Sequence, residues 1–132
     1  MKGPLSSDQI SLIFAFHPSI HFVAIVGEDG TLLDSMKRAG LNPLEPPEET
    51  RRILERWATA RGLTGGSDQF FGRMKTIIVR RDKLVELLFP LPGFMVIVSA
   101  HPAFPLDKTQ QLESLLNKLQ VGGDEWRRAQ ET

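Results

Sequence analysis

Apolar positions first recur at helical spacing. Ile10, Ile13, Phe14 and His17 form a stripe that Leu12 and Phe16 widen, so this helix is expected to contact more than one element. Ser6, Ser7 and Asp8 can cap it, Ser6 and Gln9 have capping-box spacing, and Pro18 ends it after Phe16. The period then changes to two. In "SIHFVAIVG", Ile20, Phe22, Ala24 and Val26 lie on one face, and Val23 and Ile25 on the other. A strand apolar on both faces belongs in the middle of a sheet. "TLLDSM" is a shorter and more polar second strand, suited to an edge. A connector from residue 37 to 46 contains Gly40, Asn42, Pro43 and Pro46. Pro47 suits the first turn of a second helix, and Glu48 and Glu49 suit its positive end. Ile53, Leu54, Trp57 and Ala58 make its stripe, Gly62 is its expected stop, and "TGGSDQ" reads as a flexible loop.

Three more strands follow: "FFGRMKTIIVRR", "KLVELLFPL" and "GFMVIVSA", joined by tight turns at Asp82–Lys83 and Pro92–Gly93. The last is apolar on both faces and therefore central. The first carries Arg73, Lys75, Arg80 and Arg81, as an edge or interface strand would. Pro105 and Asp107 open a third helix with Leu112, Leu115, Leu116 and Leu119 on one stripe. The pattern predicts an α/β (α+β) fold. It has a single five-stranded antiparallel sheet in the order 2-1-5-4-3, with helices on both faces. One domain is expected over residues 1–121, followed by a polar, flexible tail over 122–132.

The stretch "VAIVGEDGTLLDS" raises a sharper question, because its two glycines could cradle a phosphate or merely turn the chain. A phosphate loop aims backbone N–H groups and a helix N-terminus at the anion. Here Gly30 leads into a strand, the Lys–Ser/Thr pair of a P-loop and the third glycine of a dinucleotide motif are missing, and Glu28 and Asp29 would repel phosphate. Asp29–Gly30 is instead a hairpin signal.

Composition narrows the function classes. The 132 residues include 16 basic and 16 acidic side chains and no cysteine. Zero net charge argues against a nucleic-acid binder that relies on a broad basic face. The missing cysteines exclude disulfides, thiolate metal sites and cysteine nucleophiles, and fit a cytoplasmic setting. No apolar run approaches a membrane span, and the start lacks a signal-peptide core.

The whole pattern, from about Asp8 to Leu119, resembles the roadblock / dynein light-chain family, a branch of the profilin-like, longin-like folds, and especially its small stand-alone archaeal members. "IHFVAIVGEDGTLLDS" is similar to the family's first hairpin, and "KTIIVRRDKLVELLFPLPGFMVIVSA" to its closing meander. The connector from Lys37 to Pro46 and the "TGGSDQ" loop depart from the pattern. The resemblance implies a non-catalytic scaffold with no cofactor. It dimerises by pairing strand 3 with strand 3 beside the second helices, either as a homodimer or with a roadblock paralogue, and binds or regulates a small Ras-like GTPase. By position it places Phe71, Arg73 and Lys75 on the pairing strand and Ile53, Leu54 and Trp57 on the second helix. Arg73 and Lys75 could instead guard the edge against pairing.

Two other readings stand beside this one. A small-molecule sensor, as profilin-like and PAS-like folds allow, would need a cavity lined by Phe14, Phe22 and Phe94. A zinc-dependent enzyme would use His17, His21 and His101, which antiparallel pairing of strands 1 and 5 would bring together. Glu86, flanked by apolar residues, either faces solvent or pairs across strands with Lys75 or Arg73. Ser99 and His101 lack the elbow of a serine hydrolase. "VRRDK" reads as a solvated hairpin tip that could also touch phosphate or an acidic partner surface.

Overall fold

Two strands buried on both faces organise the molecule. In the computed structural model, which describes residues 4–41 and 44–119, β1 (Ile20–Gly27) and β5 (Phe94–Ala100) pair antiparallel at the centre of the sheet. Outside them lie β2 (Leu32–Lys37) on one side and β4 (Val85–Leu91), then β3 (Ile77–Arg80), on the other. The order is β2-β1-β5-β4-β3 with every neighbour antiparallel, as the apolar pattern predicts. The expected tail from 122 to 132 lies outside the described residues.

One face of the sheet carries the larger core. Val23 and Ile25 of β1, Leu87 and Phe89 of β4, and Val96 and Val98 of β5 pack there against helices α1 (Ser7–Phe16) and α4 (Thr109–Leu119). Ile10 and Ile13 face inward from α1, and Leu112, Leu116 and Leu119 from α4. Ser6 and Gln9 form the capping box in both directions, at 3.2 and 2.8 Å. Leu12 remains half exposed, so the apolar surface of α1 is narrower in use than its sequence suggests. The opposite face is smaller: Ala24, Val26, Leu88, Met95 and Ile97 are covered by helix α2 (Pro47–Thr64) through Leu54 and Trp57.

The alternation in β1 is broken once. Ile20 opposes Ala100 while Phe22 opposes Ser99, so His21 is an extra residue in the ladder. The bulge moves Ile20 to the face of Val23 and Ile25, not the face of Phe22 and Ala24 that strict period-two spacing implies.

Helix α2 and the segment after it differ from the sequence reading. The helix runs through Gly62, whose added Cβ would meet nothing within 4 Å. The expected loop is instead a 3₁₀ turn (Gly65–Ser67) and the short helix α3 (Asp68–Phe71). Gly72, at φ 84° and ψ 173°, then turns the chain out of α3 through a conformation open essentially to glycine alone. The third strand therefore begins only at Ile77. The expected strand over 70–81 overreaches because Phe70 and Phe71 project into solvent and gain no burial from extending the ladder.

The loop of the first hairpin shows why its last glycine is required. Gly30 has φ 90°, its N–H donates to Gly27 at 3.0 Å, and Gly27 N–H donates to Thr31 O at 2.9 Å. Asp29 Oδ1 accepts from Thr31 N–H at 2.9 Å. A Cβ on Gly30 would come within 3.3 Å of Ala58 Cβ and 3.4 Å of Glu55 Cα, so α2 rests directly on the turn. The loop is a hairpin seat for a helix. Gly30→Ala is expected to lower stability by ~1–2 kcal/mol, through both backbone strain and helix displacement. Gly62→Ala, inside α2, is expected to raise it by ~0.5–1 kcal/mol through helix propensity. Urea unfolding of both variants checks the opposite signs.

Candidate partner-binding surface

Helix α2 is fixed to the sheet at three points. Leu54 and Ala58 are buried beneath it. Near its C-terminal end the Arg61 guanidinium donates to Phe94 O at 2.8 Å and Leu91 O at 2.9 Å, with Glu28 at 3.7 Å. Burial pulls the Arg61 pKa down while Glu28 pulls it up, and an arginine remains charged through such a shift. Between them Trp57 Nε1–H donates to Glu86 Oε2 at 2.9 Å. Glu86 is only 7% exposed, and its other oxygen lies 3.5 Å from Arg81 Nε. A buried carboxylate needs such donors, because leaving it unpaired costs several kcal/mol. Glu86 opposes Val79 across the ladder and pairs with Trp57 and Arg81, not with Lys75 or Arg73.

The outer face of α2 is a lattice of surface charges: Arg51–Glu55 at 3.2 Å, Arg52–Glu49 at 3.4 Å and Arg56–Glu49 at 3.0 Å. Such exposed pairs contribute little stability each. An open depression of about 400 Å³ runs along them, lined by Arg52, Glu55, Arg56 and Thr59.

Beyond α2 the sheet ends at β3. Ile77 and Val79 face the α2 side, whereas Ile78 is 44% exposed and Arg80 is exposed. One side of this strand pairs with β4, and among the described residues the other is the open edge of the sheet. Just before it in the chain, Phe70 and Phe71 are 76% and 87% exposed, with ring centroids 6.4 Å apart.

Of the six interface residues read from the resemblance, Ile53, Leu54 and Trp57 do lie on α2, with Leu54 buried and the other two half-buried. Phe71 lies in α3, and Arg73 and Lys75 lie in the irregular segment before β3, so none of these three is on the edge strand. That segment is tied instead to α4, where Thr76 Oγ1 donates to Glu113 Oε1 at 2.8 Å. Of the cations expected on the edge strand, Arg80 is on it, and the edge residue that sequence reasoning passed over is Ile78. Three consecutive apolar residues in "TIIVRR" hide which of them faces out, so the sequence held no signal for an exposed Ile78.

The histidines are brought only partly together. His21 and His101 stack edge to face with centroids 6.2 Å apart, whereas His17 packs against Phe104 at 5.5 Å. His17 Nδ1 accepts from Ser19 N–H at 3.1 Å, and His101 Nδ1 accepts from Ala103 N–H at 3.0 Å. These donors assign the neutral proton to Nε2 in both rings. A metal on Nε2 would require a proton on Nδ1, directed at a backbone N–H. Among the described residues no group of three or more metal-capable side chains forms, so the three-histidine zinc site is not assembled. Nearby, Arg38 donates from Nε to Ile20 O at 2.7 Å and from Nη2 to Phe14 O at 2.9 Å and His17 O at 3.2 Å, with its guanidinium 5.3 Å above the Phe14 ring.

The sensor cavity is not assembled either. Phe94 is fully buried in the core beneath α1 and α4, Phe14 borders that same core, and Phe22 lies on the opposite face of the sheet. They cannot line one pocket. No helix among the described residues is long and apolar enough to cross a membrane.

No family profile matches the sequence, and no curated protein matches it. Solved structures do match in shape. A Roadblock/LC7 domain from Streptomyces avermitilis aligns with TM-score 0.68 and 13% identity, over 93% of this chain and 98% of that one. An MglB structure with a tetrameric arrangement aligns with TM-score 0.73 and 11% identity, over 95% and 93%. The gliding protein MglB from Thermus thermophilus aligns with TM-score 0.69 and 10% identity, over 92% and 93%. The chain therefore has the roadblock fold.

Burial first, then the charges of His101 and Arg38, holds the His21 imidazole below its ordinary pKa of 6.5. The unfolded chain then binds a proton more readily than the folded one. Stability is full above about pH 6.5 and is lost as pH falls through that value toward the folded pKa. Urea midpoints between about pH 7.5 and 5 are expected to fall less steeply for His21→Gln than for the native chain.

Proposed function

We propose that this chain is a non-catalytic, self-pairing scaffold that regulates a small Ras-like GTPase in the cytoplasm. Its pairing surface is the β3 edge together with α2. The observation that carries the reading is the open edge of β3 with Ile78 exposed on it and Phe70 and Phe71 exposed close before it in the chain. A bare apolar edge is a template for another strand, and exposed aromatic pairs favour an interface over solvent. The roadblock fold supports the same reading, and the tetrameric arrangement of one MglB structure is in keeping with self-association.

The residues weighed for this surface keep distinct parts in it. Ile53 and Trp57 present a half-buried apolar margin, Leu54 anchors the helix from below, and Phe71 adds exposed apolar area. Arg73 and Lys75 flank the edge as exposed cations, able to orient a partner without joining the ladder. The partner strand belongs either to a second copy or to a paralogue of the same fold.

Light scattering behind size exclusion tests the pairing. The native chain is expected to elute at twice its 14.8 kDa mass. Ile78→Lys and the double variant Phe70→Ser/Phe71→Ser are expected to elute as folded monomers. A native chain that stays monomeric across a wide concentration range, or variants that remain dimeric, would contradict the reading. The native chain alone is expected to release no phosphate from GTP, and steady phosphate release would contradict the non-catalytic part.

A further inference from the structure

The strand directions gather charge at one end of the sheet. β1 begins there, β2, β5 and β3 end there, and β4 starts there. Lys37 closes β2 and Arg38 follows it; His21 is the second residue of β1; His101 follows β5; Arg80 closes β3; and Arg81 and Lys83 lie in the turn to β4. The carboxylates nearby do not balance them. Glu86 is engaged by Trp57 and Arg81, and Asp82 shares the turn with Lys83. Arg38 donates only to carbonyls, and among the described residues Lys37, Arg80 and Lys83 make no ion pair. The opposite end of the sheet carries the Glu28–Asp29 turn.

We propose that this basic end of the sheet is a docking surface for a short acidic segment of a partner protein. The five strand ends span roughly 19 Å, which matches a compact run of carboxylates. His101, with Nδ1 occupied by Ala103 N–H, presents its Nε2–H as a donor in the middle of the row. His21 is lifted out of the ladder by the bulge, and its ring makes no hydrogen bond among the described residues. Fixed cations at both sides and imidazole donors between them suit carboxylates spaced along a segment. A long polyanion is a poorer match: the chain has no net charge, and the row gives way to the acidic turn at the far end of the sheet.

The probe is a fluorescein-labelled hexaglutamate peptide, followed by anisotropy at low ionic strength. Binding is expected, and it is expected to weaken as sodium chloride is raised. Lys37→Gln/Lys83→Gln, at exposed positions, is expected to weaken it by about fivefold or more. Arg51→Gln/Arg52→Gln removes the same charge from the outer face of α2 and is expected to leave binding within about twofold of the native value. Far-ultraviolet circular dichroism confirms that both variants are folded. Three results would overturn the proposal. They are no binding of the peptide, equal loss in the two double variants, and much tighter binding of single-stranded DNA or phosphatidylserine vesicles than of the peptide.

Discussion

The pairing of β1 with β5 is the constraint on which everything else rests. Both strands are buried on both faces, so neither can lie at an edge and neither face can be left to water. That single requirement places β2 and β4 outside them and puts helices on both sides. It also fixes which surfaces remain open. One face takes α1 and α4 over the larger core. Among the described residues the other takes α2 alone, whose coverage is completed by the close approach at Gly30, the Arg61 hydrogen bonds to the β4–β5 turn and the Trp57–Glu86 hydrogen bond.

The cover on the α2 side is incomplete. Phe22, Ile77, Val79 and Trp57 are only partly buried, and among the described residues the sheet stops at β3, with no strand on its outward side. A monomer with this architecture leaves an apolar margin beside an open edge. A second strand added at β3 would bring a second α2 with it, so one contact would build a broad helical platform. The order of α2 on the sheet is set by side chains that reach across elements. Glu86 on β4 orients Trp57 on α2, and Arg61 on α2 is held by carbonyls of β4 and β5.

Much of this was legible in the sequence, and the misses have physical causes. Strand order followed from which strands were apolar on both faces, and the hairpin followed from Asp29–Gly30. The length of β3 did not follow, because Phe70 and Phe71 look like strand residues until Gly72 breaks the chain direction and leaves them in solvent. Gly62 resembled a helix stop, yet the conformation of its neighbours carries α2 past it. The bulge at His21 has no signature in local composition. It inverts the face of Ile20; antiparallel pairing of β1 with β5 sets His21 beside His101 as expected, while His17 stays with Phe104. Likewise, the burial of Glu86 became interpretable only when the register set it opposite Val79 and beneath Trp57.

The most direct measurement is amide hydrogen exchange over β3 as protein concentration is raised. Exchange at the outward-pointing amides of Ile77–Arg80 should slow with concentration, while the amides bonded to β4 stay protected throughout. That result would place a second strand on the β3 edge. Outward amides that exchange at the unprotected rate at every concentration, including those at which light scattering reports a dimer, would show that self-association uses another surface and would contradict the account.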